Sequence, residues 1–244
     1  MKHLLRSYLG ELAWERLGQF VQEFKCRNQW VHADKALYEA FMPLLDGEGI
    51  NHFYVEVGSN DGRSFSNTIH LEGQGWRGLL IEPIFHKFLR SRAIRSTERN
   101  VIVYGCAVGE SYAEQSVKMI YGDLMTIAPQ ISDLDTDEWV QGASQFLAKS
   151  ESGGYTIWAP AITLHKALKD ADCPRVIGFL SIDVEGAEES VLEGTDFNEF
   201  VFQVVVIETV IHSRSHKLLL DNGYIFHSEV GRNLIFHHSS YLPK

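Results

Sequence analysis

Apolar positions change their period partway along the chain. Up to residue 48 they recur at helical spacing. Leu4, Leu5, Leu9, Leu12 and Leu17 fall roughly on one side of an amphipathic segment, and the pattern predicts helices over 12–24 and 33–45, with Pro43 and Gly47 marking the exit. From residue 53 the apolar positions gather into short runs stopped by glycine, proline or an acid. They predict strands at 53–57, 78–82, 101–104, 177–183 and 202–208. Helices are expected between them, at 64–71, 85–94, 163–169, 187–192 and 215–222, and a closing hairpin at 224–227 and 233–237 around Val230-Gly231-Arg232. Strands alternating with helices imply a mostly parallel α/β sheet covered on both faces. The unbroken run Val204-Val205-Val206-Ile207 suits a central strand buried on both sides. Residues 109–160 lack a clear period and hold an acidic run from Asp133 to Glu138; they are read as an insertion over the open end of the sheet. The expected division is therefore a helical extension, 1–48, and one α/β domain, 49–244.

Composition narrows the partners. The 244 residues carry a formal net charge of -10, and no run of basic residues breaks that balance, which argues against nucleic acid and anionic lipid. No apolar stretch approaches the roughly 20 residues that a membrane helix needs. Met1 to Gly18 alternates charged and apolar residues, unlike a signal peptide. Cys26, Cys106 and Cys173 are odd in number and widely spaced, so free thiols and a cytoplasmic setting are expected. The leucine-rich N-terminal helices suit the pairing of two subunits.

The first loop carries the candidate chemistry. Val55-Glu56-Val57-Gly58-Ser59-Asn60-Asp61-Gly62 lies at the carboxyl end of the first predicted strand, where doubly wound sheets bind ligands. Gly58 lets the chain turn close to a ligand. Glu56 and Asp61 place carboxylates beside it, matched to a ligand with an ammonium and hydroxyls, such as S-adenosylmethionine. Glu82 ends the second strand before Pro83, placed to accept from ribose hydroxyls. A nicotinamide-dependent oxidoreductase is the related alternative. It calls for G-x-G-x-x-G, whereas Asn60 stands at the second glycine and Asp61 repels phosphate. Asp183 and Glu208 end two further strands, with Glu185 and His212 just beyond, and neighbouring parallel strand ends open on one crevice. These four are the catalytic candidates. Either one serves as general base, His212 having the best intrinsic pKa, or Asp183 and Glu208 bind a hard cation such as Mg²⁺. Glu188 and Glu189 are expected to be solvated. Trp139, Phe146, Tyr155 and Trp158 in the insertion offer flat faces for a sugar ring, or simply pack locally.

These segments resemble the FkbM-type methyltransferase family. The likeness runs through FYVEVGSNDGRSFSNT (53–68), GWRGLLIEP (75–83), CAVG (106–109), FLSIDVEGAEESVLEG (179–194) and VVVIE (204–208). It implies a class I, Rossmann-like sheet closed by an antiparallel hairpin strand, S-adenosylmethionine as donor, and O-methylation of a small-molecule or sugar acceptor. It also implies a cofactor site made by Glu56, Gly58, Ser59, Asn60, Asp61, Gly62, Glu82, Pro83, Ala107, Val108 and Asp183, with Ala107 and Val108 against the adenine. In Gly122-Asp123-Leu124-Met125-Thr126 the family pattern favours small hydroxyl residues, and only Thr126 fits. A non-catalytic relative that binds a partner through the N-terminal helices is the remaining alternative; the intact Glu56, Glu82 and Asp183 argue against it.

Overall fold

The computed structural model describes residues 35–113, 115–132 and 155–243. The helix expected at 12–24 lies outside them, as do Trp139 and Phe146. Residues 53–57 (β1), 77–82 (β2), 100–104 (β3), 176–182 (β7), 201–208 (β8), 224–230 (β9) and 233–238 (β10) form one sheet in the order β3-β2-β1-β7-β8-β10-β9. The first five of these strands are parallel to one another, and β10 pairs antiparallel with both β8 and β9. This is the mostly parallel, Rossmann-like sheet with a closing antiparallel hairpin that the sequence predicts.

The strands read as continuous apolar runs because both faces are covered. Side chains still alternate between two cores. On one face Val55, Val57, Leu180, Ile182, Val205 and Ile207 pack with α4 (Leu164–Asp170), α5 (Glu188–Glu193) and α6 (Arg214–Asp221). On the other, Tyr54, Phe179, Val204 and Val206 pack with α1 (Lys35–Leu45) and α2 (Ile69–Gly73). The sequence reading placed residues 1–48 outside the domain. In the structure Leu37, Phe41, Leu44 and Leu45 of α1 are buried in this second core, and Phe41 stacks on Phe179 at 4.9 Å.

Two local expectations change. The helix expected from Ser64 begins only at Ile69, because residues 64–68 are drawn instead around a buried carboxylate and Phe65 takes a left-handed φ of 62°. The segment read as irregular contains β5 (Ser116–Tyr121) and β6 (Tyr155–Ile162), which pair antiparallel. β6 also pairs with the short β4 (Cys106–Ala107). Val117, Met119 and Ala159 of this ribbon bury an apolar face with Cys106 and Val108. Helix α3 (Phe85–Ile94) follows β2.

Candidate functional site

A cavity of about 480 Å³ opens at the carboxyl ends of β1, β2 and β7. That size is within the range of small-molecule and cofactor sites. Its first wall is the loop after β1. Gly58 has a φ of 83°, and a Cβ there would lie 1.9 Å from the Asp183 carbonyl oxygen, so only glycine lets these strand ends approach. The loop is closed by its own backbone. Gly58 and Ser59 N–H donate to the Ile81 carbonyl, Asn60 N–H to Glu82, Gly62 N–H to Ser59, and the Arg63 and Ser64 N–H groups to Asp61. These amides are therefore already engaged within the protein.

The predicted cofactor residues fall into two groups. Gly58, Ser59, Asn60, Glu82, Pro83, Ala107 and Asp183 line the cavity, and Ser59 Oγ is buried with no hydrogen-bond partner among the described residues. A buried hydroxyl without a partner, on a residue that borders a cavity, is a polar group that a ligand could satisfy. Glu82 is buried, with Oε2 accepting from Asn60 N–H at 2.7 Å and Oε1 from Ile84 N–H at 2.9 Å. Burial pushes its pKa up to about 7, against the opposing pull of those two amides and of Lys87.

The second group supports the site from behind. Glu56 borders the cavity, but its carboxylate accepts from Ser66 Oγ at 2.9 Å, Asn67 N–H at 2.9 Å and Thr68 Oγ1 at 2.7 Å, and Arg95 stands 4.0 Å away. Asp61 does not line the cavity; its oxygens hold Arg63 and Ser64. Gly62 is likewise off the cavity, pressed against Ser91 and Arg95. Val108 is fully buried in the core beneath the β4–β6 ribbon, so of the expected adenine pair only Ala107 reaches the cavity. Arg95 was not anticipated. Fully buried, it donates to the Gly62 carbonyl, Ser66, Thr68 and Tyr54, and pairs with Glu72 at 2.6 Å. Nothing in the residue pattern marks an arginine just past the end of a surface-type helix such as α3 as buried.

The other wall is acidic. Asp183 and Glu185 line it, and Glu208, which does not line the cavity, stands beside them; each of the three brings a carboxylate oxygen within 4.8 Å of the other two. Asp183 presents exposed surface to the cavity yet is surrounded by protein. That burial, first, and then the charge and hydrogen bond of Glu208 hold its pKa well above the usual carboxylate range. Glu185 sits at a left-handed φ of 55° before Gly186, and burial followed by Glu208 and Glu188 pushes it up to about 7. Arg232 Nε pairs with Glu208 Oε1 at 3.0 Å. Glu188, expected in solvent, is buried instead, and its Oε1 accepts from Val184 and Gly186 N–H at 3.1 and 3.2 Å, fixing the turn that carries Glu185.

His212 does not join this group. Its backbone turns left-handed at φ 70°, its side chain is exposed and off the cavity, and its ring meets His216 edge-on at 6.0 Å. Cys106 borders the cavity with its thiol pushed up to about 12 by burial, which keeps it protonated and unreactive. Tyr155 and Trp158 help line a second hollow of about 320 Å³ that shares Pro83 and Ile84 with the first.

With this geometry in place, comparison with protein families matches residues 56–226 to the methyltransferase FkbM domain. The chain belongs to the FkbM methyltransferase family. The matched span begins at Glu56 and includes the cavity-lining Glu82, Asp183 and Glu185, with Glu208 beside them. Methyltransferases of this family generally take the methyl group from S-adenosylmethionine. Among solved structures, the FkbM chain is similar to a precorrin-6y C5,15-methyltransferase from Geobacter metallireducens GS-15, with 10% identity over 84% of this chain and 88% of that one and a TM-score of 0.43. No curated protein matches it.

Proposed function

We propose that this FkbM methyltransferase transfers a methyl group from S-adenosylmethionine to a hydroxyl of a small-molecule or sugar acceptor. The observation that carries the reading is one cavity with two acidic walls of different character: Glu82 and Ser59, whose hydroxyl has no partner among the described residues, on one side, and Asp183 and Glu185, backed by Glu208, on the other. Bound there, S-adenosylmethionine supplies an electrophilic methyl group on a positively charged sulfur. Glu82 accepts from the ribose hydroxyls and Ser59 Oγ offers a further polar contact. The acidic character of the cavity favours a cation over a phosphate.

An acceptor hydroxyl is a weak nucleophile and must lose its proton as its oxygen bonds to the methyl carbon and the carbon–sulfur bond breaks. Glu185, poised near neutrality, receives that proton on a carboxylate oxygen. Asp183, on the same wall, orients the hydroxyl. The rest of the chemistry is positioning and exclusion of water.

Methyl transfer to hydroxyl-bearing acceptors, followed with labelled donor, tests this. Glu185→Gln is expected to lower kcat by about 100-fold, the usual contribution of a general base, with affinity for S-adenosylhomocysteine preserved. Activity is expected to survive EDTA. Loss with EDTA and recovery with Mg²⁺ would transfer the three carboxylates from proton handling to cation binding. Methylation confined to nitrogen or carbon acceptors would refute the hydroxyl assignment.

A further inference from the structure

The turn at 122–126 is a closed unit. Gly122 N–H donates to Thr126 Oγ1 at 3.1 Å, that hydroxyl donates to the Asp123 carbonyl at 2.9 Å, and Met125 N–H donates to the Gly122 carbonyl at 3.1 Å. Paired backbone bonds between Ile120 and Ile127, at 2.9 and 3.2 Å, clamp its base. Asp123, Leu124, Met125 and Thr126 all line the main cavity, so the turn is a preformed panel of its wall.

The panel is fastened to the body of the domain by charge. Lys87, on the first turn of α3, lines the same cavity with its side chain 8% exposed, and its Nζ lies 2.8 Å from Asp123 Oδ1. An ammonium so withdrawn from water needs a partner. Asp123 provides it from a left-handed φ of 56°, a conformation costly for most side chains but open to aspartate and asparagine. Lys87 follows Glu82 by five residues and its charge acts on that carboxylate, so the fastening lies on the Glu82 side of the cavity.

We infer that the Lys87–Asp123 ion pair is a latch that holds the 122–126 panel against α3 and so closes the wall around the nucleoside half of the cofactor. Both are positioning residues. Their effect falls on cofactor affinity, because an open panel leaves only a fraction of molecules competent to bind. The inference rests on the donor assignment proposed above.

The test is calorimetric binding of S-adenosylhomocysteine to the full chain, to Lys87→Met, to Asp123→Asn and to the double variant, with apo melting temperatures alongside. Asparagine keeps the left-handed backbone and removes the charge. Each single variant is expected to bind about tenfold more weakly, the double variant no more weakly than either single one, and the melting temperatures of Lys87→Met and of the double variant, which leave no unpaired ammonium, to move by less than about 3 °C. Binding within about twofold of the unaltered chain in either single variant, or losses that multiply in the double one, would overturn the latch. So would affinity losses in Lys87→Met and the double variant that come with a larger fall in melting temperature, since they would assign the pair to the fold. If the unaltered chain does not bind S-adenosylhomocysteine, the donor assignment fails; if it binds and the variants match it, only the latch fails.

Discussion

Each oxygen of the Glu82 carboxylate accepts one backbone N–H, from Asn60 and from Ile84, which leaves further lone pairs for a ligand. The same side chain therefore sets the loop after β1 and faces the cavity. Replacing it by alanine is expected to weaken S-adenosylhomocysteine binding by about 1 to 3 kcal/mol, the usual loss when charged hydrogen bonds go. Unchanged affinity in a titration would mean that Glu82 holds the loop and not the ribose. Glu56 makes the contrast. It stands two residues from Gly58 with the same carboxylate, yet Ser66, Asn67 and Thr68 occupy it. A strand pattern tells which residues end near a crevice; it does not tell which of two acids is already engaged by its own loop.

Among the elements, long buried strands were legible and locally strained pieces were not. β7 and β8 announce themselves because a strand covered on both faces must be apolar throughout. α2 is shorter than its apolar spacing suggests, since the competition was decided by a buried glutamate that accepts from residues 66–68. β5 was missed although Val117, Met119 and Tyr121 alternate with Ser116, Lys118 and Ile120, a period of two hidden among glycines and an acidic run. His212 is expected in the crevice from its distance in sequence from Glu208; the structure has His212 itself left-handed and its side chain exposed off the crevice, and no pattern of residue types signals such a conformation. Helix α1 makes an element-level prediction. Phe41 is fully buried and stacked on Phe179, so Phe41→Ala is expected to cost about 3 to 5 kcal/mol in denaturant unfolding. A cost below about 1 kcal/mol would detach α1 from the core that it shares with the sheet.

Taken whole, the chain places acids at the bottom of a cavity in a protein already carrying a net charge of -10. Glu82, Glu185 and Glu188 each rise from 4.5 to about 7, with burial the leading cause in every case. Between those values the folded chain holds protons that the unfolded chain has lost, so stability falls as pH rises through this window and levels off above it. The melting temperature of the ligand-free protein is therefore expected to drop between about pH 5 and pH 7.5. A melting temperature that climbs over that range would mean that the acids are better compensated than the geometry shows. A cationic donor relieves the same burden, which links the electrostatics of the empty fold to what it binds. Among the described residues no helix is long and apolar enough to cross a membrane.

Isothermal titration of the full chain with S-adenosylhomocysteine, and separately with NADH, addresses the cavity most directly. The account predicts one-to-one binding of the first at about micromolar affinity, the strength of roughly 8 kcal/mol, and no heat from the second. Saturable binding of NADH, or a flat trace with S-adenosylhomocysteine, would contradict it.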